Sequence, residues 1–220
     1  MGLELNILLC IAAPLLVMFY IVSDKSVRRV LLFLILGMVA GYAAGFGNSV
    51  TTQIAGLTSV EAALYTAPVI EECLKALPII IYFLIFKPDF KQLLAAAISC
   101  GAGFATLENV TYLINGMLDS AGILLRGFST GVMHAMTVSL FAAFLWYVTQ
   151  NEVKRSWFIR IMCGFGILAS GITLHGCYNL LVNSSGNMMY VGYLIPIIIA
   201  AVYGAGLFIW EKRKRDAEKS

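Results

Sequence analysis

Two adjacent glutamates and a lysine interrupt an otherwise apolar stretch of this sequence. In "TAPVIEECLKALPIIIYFLIF", residues 66–86, Glu71, Glu72 and Lys75 lie near the start of a segment that is long enough to cross a membrane. A charged side chain at the middle of a spanning helix costs about 2.5 to 3.5 kcal/mol on insertion scales. Buried ionisable groups of this kind are typical of catalysis, ion passage or proton relay.

Three further ionisable side chains lie in other apolar segments. They are Glu108, in "GFATLENVTYL", and the only two histidines of the sequence, His134 and His175. Two imidazoles and a carboxylate are a common ligand set for a catalytic zinc, with a second glutamate as base. If a metal is bound, we expect Glu108, His134 and His175 to hold it.

A metal-free hydrolysis is the alternative. The helical HExxH motif is absent from the sequence. A glutamate could instead activate water while histidine and asparagine stabilise the tetrahedral intermediate. Both routes hydrolyse an amide.

The local spacing suggests supporting residues. Lys75 lies at i+4 from Glu71 and i+3 from Glu72, so it can neutralise one carboxylate and leave the other available. In "LHGCYN", Asn179 lies at i+4 from His175 and could orient the imidazole or donate to an oxyanion. A hydrogen bond between helices is the other interpretation of Asn179.

Composition indicates an integral membrane protein. The 220 residues are 60% hydrophobic and 12% charged, with a mean hydropathy of +0.87, whereas soluble domains are about half apolar and a quarter charged. The five cysteines form no CxxC pair, which argues against a disulfide framework or a thiolate metal site. The net charge of +3 does not indicate a nucleic-acid partner.

The hydropathy pattern predicts one all-α membrane domain, residues 1–220, with a basic cytoplasmic tail at 211–220. Residues 48–66 are expected to form a polar connection, and Gly101 and Gly103 to allow close helix packing. About seven spans are predicted, at residues 3–22, 28–47, 67–86, 92–115, 123–148, 158–182 and 190–210.

The charges between the spans predict the orientation. Basic residues occupy every second boundary: Lys25, Arg28 and Arg29; Lys87 and Lys91; Lys154, Arg155 and Arg160; and the tail "EKRKRDAEK". The opposite boundaries carry Glu4, Glu61 and Asp119, with Arg126 as their only basic neighbour. By the positive-inside rule the N-terminus is outside and the C-terminus is in the cytoplasm.

This topology brings the ionisable groups to one layer of the membrane. At 1.5 Å per residue they lie within roughly 6 to 16 Å of the outer boundary. We therefore expect them to meet in a cavity open to the outside. The predicted catalytic residues are Glu71, Glu72, Glu108, His134 and His175.

Two other functional classes use similar residues. An ion- or proton-coupled transporter could use the buried charges as a relay, but the sequence shows neither an inverted repeat nor helices broken near the midplane. An inactive scaffold would be expected to lack one of the predicted catalytic glutamates or histidines, and the sequence has all five.

Three motifs resemble those of one protease family. "EECLK" matches its EExxK motif, "FATLE" its FxxxE motif, and "LHGCYN" resembles its HxxxD motif. On these residues the chain resembles the PrsW family of intramembrane proteases, which is related to the CAAX-processing proteases. The resemblance covers most of residues 8–215.

The resemblance implies a multi-pass cell-membrane enzyme that makes the first cut in a single-pass anti-sigma factor. The family is classed with the metallopeptidases, which implies zinc, while its relatives are described with a glutamate mechanism. Asn179 stands where the family usually has aspartate, which favours orientation or oxyanion binding over a carboxylate ligand. Analogy with the CAAX-like enzymes implies Glu71 as the base and Glu72 as the partner of Lys75.

Overall fold

The computed structural model describes residues 2–116, 120–149 and 156–217, and in these ranges it contains helices and no strand. The predicted all-α class is therefore confirmed. A single π-helical turn, Ala62–Thr66, joins α3 to α4. The helices are α1 (Gly2–Ile21), α2 (Lys25–Ala55), α3 (Ser59–Glu61), α4 (Ala67–Phe86), α5 (Phe90–Ile114), α6 (Ser120–Thr149), α7 (Trp157–Val182) and α8 (Asn187–Ala217).

Six of these helices are long and apolar enough to cross a membrane: α1, α2, α5, α6, α7 and α8. Helix α4 is also 20 residues long, but it carries Glu71, Glu72 and Lys75. The described part of the chain thus holds seven long helices, in agreement with the predicted number of about seven. The protein is a multi-pass membrane protein. Of the residues used to predict its orientation, Asp119, Lys154, Arg155, Glu218 and Lys219 lie outside the described ranges.

The predicted polar connection at residues 48–66 is wrong. Helix α2 continues to Ala55 and ends at Gly56, whose φ of +62° suits a glycine. Thr58 then caps α3: its side chain accepts from the Glu61 N–H, and the Glu61 carboxylate accepts from the Thr58 N–H. Because this capping box restarts the helix at once, only residues 56–58 separate α2 from α3. The chain therefore returns directly into α4.

Glycines set the distance between α5 and its neighbours. A methyl group at Gly103 would overlap the Leu34 carbonyl oxygen of α2, and one at Gly101 would lie 2.6 Å from the Ala135 Cα of α6. The expected close packing at Gly101 and Gly103 is confirmed. Small residues let helix backbones approach where lipid provides no hydrophobic drive for association. Helix α5 is consequently held between α2 and α6, with Glu108 in the second half of α5.

We expect Gly103→Ala to destabilise the protein by about 1 to 3 kcal/mol, because the added methyl group must push α2 and α5 apart. Gly45→Ala in α2 is the matched control, since nothing lies within 4 Å of the methyl group it would add. Thermal unfolding of the detergent-solubilised protein measures both. Equal melting temperatures for the two variants would show that the α2–α5 contact tolerates a wider spacing.

Candidate active site

Buried ionisable side chains meet in one half of the bundle, on the side where α2, α5 and α7 end and α4 and α6 begin. The set contains all five predicted catalytic residues, together with two cations. Apart from Glu108, whose side chain is 19% exposed, its members are buried. They are Glu71, Glu72 and Lys75 of α4, Glu108 of α5, Arg126 and His134 of α6, and His175 of α7.

Lys75 fixes the proton on His134. Its Nζ donates to Glu72 Oε1 at 2.6 Å and lies 2.6 Å from His134 Nδ1. Since an ammonium group can only donate, Nδ1 must accept, and a neutral His134 ring therefore carries its hydrogen on Nε2. That Nε2 lies 2.9 Å from Glu108 Oε2 and donates to it.

Glu72 fixes a hydrogen on Nδ1 of His175, the ring nitrogen that carries none in a neutral His134. His175 Nδ1 lies 2.8 Å from Glu72 Oε1, and because a carboxylate only accepts, Nδ1 carries the hydrogen. In a neutral His175 ring, Nε2 then carries a lone pair, and it faces Glu71 Oε2 at 3.7 Å. A carboxylate behind an imidazole in this way orients histidines that bind metals.

Glu71 carries an uncommitted carboxylate oxygen. Its Oε1 accepts from Asn48 Nδ2 at 3.0 Å, while its buried Oε2 has no hydrogen-bond partner among the described residues. Unpartnered buried polar atoms are uncommon and costly. No described side chain donates a hydrogen bond to Glu71 Oε2, which lies beside His175 Nε2.

Glu108 differs from Glu71 because both of its oxygens are engaged. Oε1 accepts from Arg126 Nη2 at 2.7 Å, and Oε2 accepts from His134. The Arg126 guanidinium also lies 3.7 Å from the centre of the Tyr112 ring. Arg126 was the one basic residue near the boundaries predicted to be external. In the structure it is a buried ion-pair partner of Glu108.

The sequence pattern did not indicate Asn48, the hydrogen-bond partner of Glu71. This residue falls in the segment predicted as a polar connection, which hid its place on the last part of α2. The sequence feature that could have indicated Asn48 is an amide side chain among small residues that continue the apolar pattern of α2.

Asn179 contacts a different neighbour from the expected ones. Its Nδ2 donates to the Ala63 carbonyl oxygen at 2.8 Å, so it joins α7 to the π-helical turn before α4. This is the interhelical hydrogen bond considered as an alternative. An orienting effect of Asn179 on His175 or an oxyanion stays a prediction.

Among the described residues, Glu71, His134 and His175 form a group that could hold a metal ion, and this group differs from the expected set by having Glu71 in place of Glu108. Glu71, His134 and His175 each offer one ligand atom, and these atoms lie within 4.8 Å of one another. Zinc holds nitrogen and oxygen ligands at about 2.0 to 2.2 Å, so a small inward movement would be needed. Glu71 Oε2 and His175 Nε2 fit a metal in this arrangement. His134 Nε2 carries a hydrogen, so it would join them only after that hydrogen passes to Glu108 Oε2.

The expected open cavity is closed in this structure. Glu71 is 6% exposed and His175 2%, and the space beside Glu72 measures about 10 Å³, enough for about one water molecule. In this arrangement of the helices, Glu71 and His175 are too buried to contact a peptide.

We expect Glu72→Gln to lower the stability by about 3 to 5 kcal/mol, because it leaves the fully buried Lys75 without a counter-charge. Adding Lys75→Met should restore part of the melting temperature, since the double variant buries no unpaired cation. Glu61→Gln is the control: this carboxylate is exposed, and glutamine preserves a capping box. A Glu72→Gln protein as stable as Glu61→Gln would contradict the assigned ion pair.

Comparison with known proteins agrees with the motifs and the buried cluster. The family model described as PrsW family intramembrane metalloprotease matches residues 25–205, which include every member of the cluster. No curated protein and no solved structure matches the chain. With most of its length matched, and with its glutamates and histidines gathered inside a membrane helix bundle, this chain belongs to the PrsW family of intramembrane metalloproteases.

Proposed function

We propose that this protein makes the first cut in a single-pass anti-sigma factor, near the external juxtamembrane end of the substrate. Membership of the PrsW family supports intramembrane proteolysis of a membrane protein. The finer assignment is supported by the motif resemblance and by the position of the buried cluster in one half of the bundle. A cut there separates an external domain and leaves a membrane stub for a second protease.

The distribution of charge supports an external active site. Lys25, Arg28 and Arg29 begin α2, and Lys87 and Lys91 lie around the turn from α4 to α5, at the end of the bundle opposite the buried cluster. Lys and Arg are enriched in cytoplasmic loops. With the basic end in the cytoplasm, the N-terminus and the active site belong to the external side.

The proton transfers can be assigned to named atoms. Glu71 Oε2 takes a proton from water as the water oxygen attacks the scissile carbonyl carbon, and His175 Nε2 accepts the other water hydrogen as a hydrogen bond. When the C–N bond breaks, Glu71 returns the proton to the leaving amine. Glu72 and Lys75 hold the two histidine rings throughout. The observation that carries this mechanism is Glu71 Oε2, which has no hydrogen-bond partner among the described residues and lies 3.7 Å from His175 Nε2.

The same groups suit the metal implied by the family. Glu71, His134 and His175 would hold the ion, which when bound supplies a Lewis acid for the scissile carbonyl and lowers the pKa of water. Glu108 is then the carboxylate left beside the histidines to accept a proton. Its Oε2 lies 2.9 Å from His134 Nε2, and its Oε1 stays fixed by Arg126.

We expect Glu71→Gln to lower cleavage at least about 100-fold, because general-base catalysis is typically worth 10² to 10⁴ in rate. The assay uses the purified chain in liposomes with a single-pass anti-sigma factor, and mass spectrometry of the products locates the cut. Glu71→Gln should stay folded and still bind the substrate, and the exposed Glu61→Gln should cleave normally.

Two outcomes would contradict these assignments. Near-normal cleavage by Glu71→Gln, with a folded but inactive Glu72→Gln, would reverse the roles of the two glutamates. A cut at the cytoplasmic end of the substrate would overturn the external placement of the site.

The metal content of variants distinguishes two ligand sets. One set has Glu71 with the two histidines, and the other, expected from the sequence, has Glu108 with them. Elemental analysis of the purified protein should find a divalent metal that is lost in Glu71→Gln and His175→Ala and kept in Glu108→Gln, because Arg126 and His134 already occupy the Glu108 oxygens. Loss of the metal in Glu108→Gln, with retention in Glu71→Gln, would restore Glu108, His134 and His175 as the ligands.

A further inference from the structure

A groove lies at the end of the bundle opposite the buried cluster. It has a volume of about 420 Å³ and runs between α2 and α4, with Phe19 of α1 at its mouth. Leu32 and Leu36 of α2 form one apolar wall, and Ile81 and Phe86 of α4 form the other. The groove shares no residue with the catalytic cluster.

Three cations line the mouth of this groove. Lys25, Arg28 and Arg29 all belong to its lining, and the Arg28 guanidinium lies 4.5 Å from the centre of the Phe19 ring. The nearby carboxylate, Asp24, accepts from the Ser26 and Val27 N–H groups as the cap of α2. Among the described residues no salt bridge joins the three cations to a carboxylate. The mouth therefore keeps a net positive charge.

We propose that this groove binds one anionic phospholipid, with its phosphate between Lys25, Arg28 and Arg29 and an acyl chain against Leu36 and Ile81. The cations at one end and the apolar walls beyond them match a ligand with an anionic head and a hydrocarbon tail. Clustered Lys and Arg at a membrane face attract anionic lipids, which are abundant in the cytoplasmic leaflet. The charge pattern places this groove at that leaflet.

The size of the groove favours a lipid over a substrate helix. A helix about 10 Å wide fills about 420 Å³ in each 5.4 Å turn, so the groove would hold only one turn of it. The volume lies within the roughly 300 to 1,000 Å³ of small-molecule sites. One lipid chain and the base of its headgroup suit this space better than a second protein.

The test compares lipids added to the purified full-length protein in detergent. Dioleoyl phosphatidylglycerol should raise the melting temperature, since a ligand that binds the folded state stabilises it, and native mass spectrometry should show one bound lipid per chain. Dioleoyl phosphatidylcholine should bind at least about tenfold more weakly. Inorganic phosphate alone should give no shift, because it lacks the acyl chain.

Two variants test the two halves of the site. Arg28→Gln with Arg29→Gln should weaken phosphatidylglycerol binding at least about tenfold, whereas Lys87→Gln with Lys91→Gln should not. The control pair removes the same charge at the same end of the bundle, outside the groove lining. Ile81→Trp should also weaken binding with every charge kept. Because Ile81 is 48% exposed, this variant should fold and would carry the test if the double arginine variant does not.

Four results would overturn the proposal. They are equal binding of the two lipids, equal loss in the lysine control pair, a phosphate shift as large as that of the lipid, and a lipid-free dimer that Ile81→Trp dissociates. The last two would assign the groove to a free anion and to a second copy of this chain, respectively.

Discussion

One carboxylate oxygen, Glu72 Oε1, organises the buried site. It accepts from both the Lys75 ammonium and His175 Nδ1, at 2.6 and 2.8 Å. A charge buried within a membrane protein must be paired, because leaving it alone costs several kcal/mol. Satisfying Lys75 therefore commits Glu72 to a structural position, and the neighbouring Glu71 is the carboxylate that remains available.

The proton positions on the two histidines follow from this pairing. Lys75 donates a hydrogen bond to the lone pair of His134 Nδ1, whereas His175 Nδ1–H donates to Glu72. The rings therefore present different atoms to the centre: an N–H from His134 and a lone pair from His175. Two residues of the same type thus acquire different chemical properties from one lysine–glutamate pair.

Much of this arrangement could be predicted from the sequence, since hydropathy and charge fix which residues lie at a common depth. The meeting of Glu71, Glu72, Glu108, His134 and His175 followed from counting residues along helices. Which carboxylate faces the histidines could not be predicted, because it depends on the rotation of each helix about its axis. Glu108 was expected as a metal ligand, and in the structure Arg126 engages its Oε1 and His134 its Oε2, so that Glu71 is the carboxylate with an unpartnered oxygen among the described residues.

The π-helical turn Ala62–Thr66 precedes the helix that carries both glutamates. A π turn takes in one more residue per hydrogen-bonded ring than an α turn, and here the Ala67 N–H bonds to the Ala62 carbonyl oxygen, five residues back. One residue of register corresponds to about 100° of rotation, which is also the angle between neighbouring side chains on a helix. The turn therefore sets the rotation of α4 about its axis: the same residues wound as an α-helix would carry Glu71 round to about the azimuth now held by Glu72.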